Sequence, residues 1–190
     1  MIRAEVPDAA AMEEFGRDLG AGLVAGDLLI LSGPLGAGKT TLTRGLGAGL
    51  GVRGPVQSPT FVLARTHPSL VGGAPLVHVD AYRLGSAELL EDLDLDFARS
   101  VVVVEWGAGL LDDVSASWLE VEIERPQGAA VADAAAGLFG DDTGAAGAPG
   151  DPGTRADPGD AEFLGADEPR VITLRGFGPR WAGTAYADAR

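Results

Sequence analysis

Leu28-Leu29-Ile30-Leu31-Ser32-Gly33-Pro34-Leu35-Gly36-Ala37-Gly38-Lys39-Thr40 decides the fold of this chain. A short continuous apolar run enters a glycine-rich turn, and the residues from Thr40 to Leu50 then carry helical spacing and stop at Gly51. The order is strand, loop, helix. Within it, Gly33 to Thr40 has the form G-x-x-x-x-G-K-[ST], in which glycine geometry frees backbone N–H groups to converge on phosphates while the helix N-terminus adds its positive end. In such a loop Lys39 reaches the β and γ phosphates and the Thr40 hydroxyl ligates magnesium. The composition singles out the same position: thirteen of the fourteen basic residues are Arg, and Lys39 is the only lysine. A loop closing tightly on phosphate calls for lysine's compact ammonium, for which arginine's planar fork is no substitute. The bland alternative, a glycine-rich turn with a solvated lysine, leaves the strand before it and the helix after it unexplained.

Working outward, Asp8 is an N-cap for a helix with Met12, Phe15, Leu19 and Leu23 at spacings of three and four, predicted to run to about Gly26 and to precede the first buried strand. Phe61 to Arg65 and Leu76 to Val79 read as strands of a hairpin joined by a Gly-Gly turn at His67 to Pro75. Ser86 caps a short helical stretch with Leu89, Leu90 and Leu93. Val101 to Val104 is a β-branched run of the kind that fills a covered parallel sheet. Leu119 to Ile123 and Arg170 to Leu174 alternate as strands and are expected to form an edge hairpin.

Between those two lies a stretch rich in Ala, Gly, Asp and Pro. Residues 126–169 hold nine Asp or Glu and one Arg, so they carry eight of the fourteen net negative charges. With almost no periodic apolar pattern, such a segment cannot bury enough surface to offset its ordering entropy, and it is predicted to be a disordered insertion. The expected organisation is a core over 1–125, the insertion over 126–169, and a C-terminal strand of the core with its tail over 170–190.

Two carboxylates close apolar strands. Val101-Val102-Val103-Val104-Glu105 ends in an acid placed to hold magnesium or its water beside the phosphate loop; an ordinary rim carboxylate is the competing reading. His78-Val79-Asp80 puts a second acid near a strand end, with His78 and Asp80 on one side by alternation. Beside the loop, Asp80 can position a water or accept its proton; a solvated turn residue is the alternative. His78 reads as a hydrogen-bonded structural histidine. Trp106 is a core anchor, a nucleotide contact or a partner hot spot, with core packing the plainest of the three. Gln57-Ser58-Pro59-Thr60-Phe61 lies where switch segments of phosphate-loop proteins lie, and Thr60 can sense a γ-phosphate through its hydroxyl, although a plain turn explains so short a pattern as well.

Composition excludes other classes. A pI near 4.3 lacks the basic footprint that binding a phosphate backbone requires, so a nucleic-acid role is expected to run through a partner. No cysteine is present, so there is no disulfide, thiol nucleophile or thiolate metal site, and a cytoplasmic location is the default. The longest aliphatic runs are far too short to span a bilayer, and Met1 to Glu5 opens no export signal.

Taken together and in order, GPLGAGKTTLTRGL, SPTF, HVDAYRL and VVVVEWG resemble the bacterial tRNA threonylcarbamoyladenosine-biosynthesis ATPase family, TsaE. The resemblance covers roughly Ala9 to Gly107 and Leu119 to Gly176 outside the insertion. It implies an α/β P-loop NTPase fold with a mixed, mostly parallel sheet flanked by helices. It further implies an ATPase using ATP and magnesium, slow alone and activated by two partner subunits, TsaD and TsaB, that carry out threonylcarbamoyl transfer to adenosine 37 of tRNA. Carried over by motif, Gly36, Ala37, Gly38, Lys39, Thr40 and Thr41 bind phosphate and Thr40 and Glu105 hold magnesium. Asp80 serves hydrolysis, Thr60 is the switch threonine, and Trp106 stands beside the acidic ligand. Arg170, and also a residue near Asp8 to Met12, would approach the adenine. The family usually has a polar residue where Pro34 stands and lacks the acidic insertion. Proline removes one N–H early in the loop and leaves the turn from Gly36 to Thr40 intact. A small-molecule kinase and a nucleotide-dependent interaction module are the rival functions; the absence of a basic lid segment argues against the first, and the pair Asp80 and Glu105 against the second.

Overall fold

Leu28 to Leu31 have no polar position because both sides of their strand are covered. The computed structural model describes residues 1–59, 62–83, 96–107, 115–125 and 168–188. Chain order runs β1 (Ile2–Val6), α1 (Ala9–Ala21), β2 (Leu28–Ser32), α2 (Lys39–Gly49), β3 (Ala64–His67), β4 (Leu76–Asp80), a 3-10 turn (Ala81–Arg83), β5 (Val101–Glu105), β6 (Trp118–Glu124) and β7 (Arg170–Phe177). Among the described residues these strands form one seven-stranded sheet in the order β1-β7-β6-β2-β5-β4-β3. The central four, β6, β2, β5 and β4, are parallel, whereas β7, β1 and β3 join through antiparallel pairs. Five of the seven strands therefore point the same way, as a mixed, mostly parallel sheet requires.

The pleat sorts the central strands into two cores. Leu29, Leu31, Val101, Val103, Leu119 and Val121 face α1 and α2 and pack with Met12, Leu19, Leu42 and Leu46. Leu28, Ile30, Val77, Val79, Val102 and Val104 form the second cluster on the other face, with Phe97 and Trp118 at its margin.

Several boundaries differ from the sequence reading. A strand, β1, precedes α1; its alternating Ile2-Arg3-Ala4-Glu5-Val6 buries only one side. Because β1 pairs with β7, from Ile2 opposite Leu174 to Val6 opposite Arg170, the β6–β7 hairpin is internal and not an edge. Helix α1 begins as expected on Asp8, whose carboxylate accepts from the Ala11 N–H at 2.8 Å, but it stops at Ala21. Beyond it the Asp27 carboxylate takes the Val24 N–H at 2.9 Å, so a side chain competes with the helix for the backbone. Strand β3 starts at Ala64, since the N–H groups of Val62 and Leu63 both donate to the Pro59 carbonyl in a turn. The Ser86 helix, Thr60 and Phe61, and residues 126–167 of the insertion lie outside the described residues.

After β7 the chain folds back on the sheet. Gly176 donates to the Tyr186 carbonyl at 2.7 Å, Trp181 is buried, and Arg180 grips the buried Asp27 carboxylate through Nε at 2.8 Å and Nη2 at 3.1 Å.

Helices α1 and α2 meet backbone to backbone. A Cβ on Gly45 would lie 2.1 Å from the Glu13 carbonyl oxygen and 2.9 Å from the Gly16 Cα; Gly20 and Gly49 repeat the contact one turn along. Glycine permits this approach because any side chain would separate the helices. Gly45→Ala is expected to lower stability by about 2–3 kcal/mol, measured as a drop in the urea midpoint with an unchanged slope.

Candidate functional site

Parallel neighbours end at one edge of a sheet. Here β2, β6, β5 and β4 bring Ser32, Glu124, Glu105 and Asp80 to the same edge, and the glycine loop leaves β2 between β5 and β6. Within the loop, Ala37 donates to the Pro34 carbonyl at 3.1 Å to close the turn. Gly38, at φ 102°, adopts the left-handed geometry that starts α2 with no side-chain cap. The first-turn N–H groups of α2, at Lys39, Thr40 and Thr41, have no carbonyl of their own helix to pair with. Met12 of α1 packs beneath, its Cε 3.4 Å from where a Gly38 Cβ would stand.

Lys39 curls over its own loop. Its ammonium donates to the carbonyls of Gly33 at 2.9 Å and Pro34 at 3.0 Å and lies 3.8 Å from the centre of the Trp106 ring. Burial pushes the Lys39 pKa below its ordinary value, while the Glu105 and Asp80 carboxylates pull it back up. Lys39, Glu105 and Asp80 thus share one electrostatic environment.

Glu105 stands opposite Asp80 in the β4–β5 register, and both are only 5% exposed. One Glu105 oxygen, Oε1, accepts from the Thr40 hydroxyl at 3.2 Å and from His78 Nε2 at 2.8 Å. With the Glu105 oxygen as acceptor, Nε2 is the donor of this pair, and Nδ1 is a buried atom with no partner among the described residues. The Asp80 carboxylate accepts from the Tyr82 N–H at 3.1 Å, which fixes its orientation at the strand end.

Trp106 is not the core anchor that packing alone suggested. Its backbone is left-handed, at φ 63°, and its N–H donates to the Leu31 carbonyl at 3.0 Å. That geometry carries its ring over Lys39, with Tyr82 edge-on at 5.8 Å. Arg170 is buried at the start of β7, where its Nη1 donates to the Glu168 and Pro169 carbonyls. Thr60 is outside the described residues, so the structure brings together Lys39, Thr40, Glu105, Asp80 and Trp106. One residue went unnoticed in the sequence: Arg125, directly after β6, whose Nη1 lies 3.8 Å from a Cβ position on Gly36. Its signal was positional, because a strand parallel to β2 and paired with it must end beside the loop.

A strand, a glycine loop and a helix, flanked by acids on neighbouring parallel strands, define the fold of a P-loop NTPase. The family model described as "Threonylcarbamoyl adenosine biosynthesis protein TsaE" matches residues 6–131, and the chain belongs to that family. A Streptomyces coelicolor protein named "tRNA threonylcarbamoyladenosine biosynthesis protein TsaE" is 49% identical over 174 residues, 90% of this chain and 94% of that protein. A protein of the same name from Bacillus subtilis is 40% identical over 103 residues, 53% of this chain and 63% of its own. The crystal structure of Bacillus subtilis YdiB shares the fold at a TM-score of 0.58 and 24% identity, covering 94% of this chain and 86% of that one.

His78 gives the site its most direct test of construction. His78→Ala removes the shorter of the two hydrogen bonds that Thr40 and His78 make to the buried Glu105 carboxylate, and is expected to cost about 2 kcal/mol of unfolding free energy by urea denaturation.

Proposed function

We propose that this chain is the ATPase subunit that supports threonylcarbamoyl modification of adenosine 37 in tRNA, binding and hydrolysing Mg-ATP to drive or reset a partner transferase complex. Membership of the TsaE family supports the pathway. The observation that carries the chemistry is the meeting of the Thr40 hydroxyl and the Glu105 carboxylate at 3.2 Å, next to Lys39 and across the register from Asp80.

Those two oxygens suit magnesium, a hard cation bound through few protein ligands together with substrate phosphates and waters. Thr40 and Glu105 would hold the ion, which when bound neutralises phosphate charge. Lys39, on a four-carbon stem, presents its ammonium to the β and γ phosphates in place of two neutral carbonyls. The N–H groups from Gly36 to Thr41 cradle phosphate oxygens at the positive end of α2. Asp80, steadied by the Tyr82 N–H, orients the attacking water or takes its proton. Thr60 is the proposed switch threonine, Trp106 a wall of the nucleotide site, and Arg170 the residue toward the adenine. TsaD and TsaB are the proposed partners, the acidic chain meeting tRNA only through them, in the cytoplasm.

The purified chain should bind Mg-ATP, lose that binding on Lys39→Ala, and release phosphate faster when TsaD and TsaB are added. Asp80→Ala should retain binding and lower phosphate release by the assembled complex about 100-fold. Unchanged release would remove Asp80 from the chemistry, and transfer of labelled phosphate to a small acceptor would replace the ATPase with a kinase.

A further inference from the structure

Arg125 follows β6 and is absorbed by none of the roles above. Its side chain is 28% exposed and lies between the glycine loop and Glu168. Nε donates to Glu168 Oε2 at 2.7 Å, while Nη1 stands 3.8 Å from where a Cβ on Gly36 would lie. The same Glu168 oxygen stands 3.6 Å from Nη1 of Arg170. One carboxylate therefore lies between two guanidinium groups at the border of the phosphate loop. Burial, and then the charge of Arg125, hold Arg170 below its ordinary pKa, while Glu168 opposes them. The pair of cations calls for an anion in that place.

We infer that Arg125 is a second phosphate anchor of the nucleotide site and that Glu168 is its built-in competitor, an internal carboxylate that a nucleotide phosphate displaces. The inference rests on the nucleotide reading of the previous subsection. Carboxylate and phosphate both match the planar fork of arginine, so each can satisfy Arg125, and what one gains the other must give up. No covalent step is involved. The consequence is that affinity is set partly outside the glycine motif, by two residues that flank the 126–167 segment in sequence.

The test measures binding of a fluorescent ATP analogue with magnesium to the full chain, with inorganic tripolyphosphate and adenosine as competitors. Arg125→Ala should weaken the ATP analogue and tripolyphosphate about 10-fold, and Arg125→Lys, which keeps charge without the fork, by less. Glu168→Gln should tighten both about 3-fold and should give no tightening in the Arg125→Ala background. Opposite signs for the two single variants are the signature. If the pair merely props the loop, both variants weaken binding together and the inference falls. Loss of adenosine competition with tripolyphosphate unchanged would make Arg125 a base contact and also overturn it. Normal binding by Arg125→Ala alongside lost binding by Lys39→Ala sinks this inference alone, whereas wild-type chain that binds neither probe sinks the nucleotide reading itself.

Discussion

Four adjacent strands running the same way are the constraint on which the site depends. With β4, β5, β2 and β6 parallel, Asp80, Glu105, the glycine loop and Arg125 must emerge at one edge, although they are spread from residue 33 to residue 125. Had either β4 or β5 been reversed, its terminal acid would lie a strand length away, at the opposite edge. The aliphatic sequence of β5 is what sustains that arrangement, because Val101 to Val104 fill both faces and leave Glu105 as the first position free to carry charge.

Much of this was legible beforehand, for reasons that differ by element. The phosphate loop announced itself by composition, since the glycines and a lone lysine have few other uses at that spacing. The acids at Glu105 and Asp80 were found because each terminates an apolar run, a pattern that survives without tertiary information. The carboxylate shared between Thr40 and His78 was only half visible: alternation placed His78 beside Asp80, but which acid it would serve depended on the β4–β5 register.

What the sequence concealed is mostly long-range. Strand β1 is short and half exposed, and its partner β7 lies some 170 residues away, so no local pattern could reveal the pairing. The stacking of Trp118 on Phe177 and the grip of Arg180 on Asp27 are hidden for the same reason. For Trp106 the sequence left a core anchor, a nucleotide contact and a partner contact open; its left-handed backbone, which no local pattern announces, carries the ring over Lys39. Arg125 required knowing that β6 lies next to β2, which is a statement of strand order and not of motif.

The glycine seam between α1 and α2 bears on how the loop can respond to what it holds. Helices separated by a layer of interdigitated side chains can slide past one another by small shear movements. Carbonyl against Cα leaves no such layer, so α2 cannot tilt without taking α1 along, and through Asp8 and β1 the outermost strand of the sheet. Movement at Lys39 and Thr40 would then be felt as a displacement of the sheet's far margin, and an agent that grips that margin would in turn stiffen the phosphate loop.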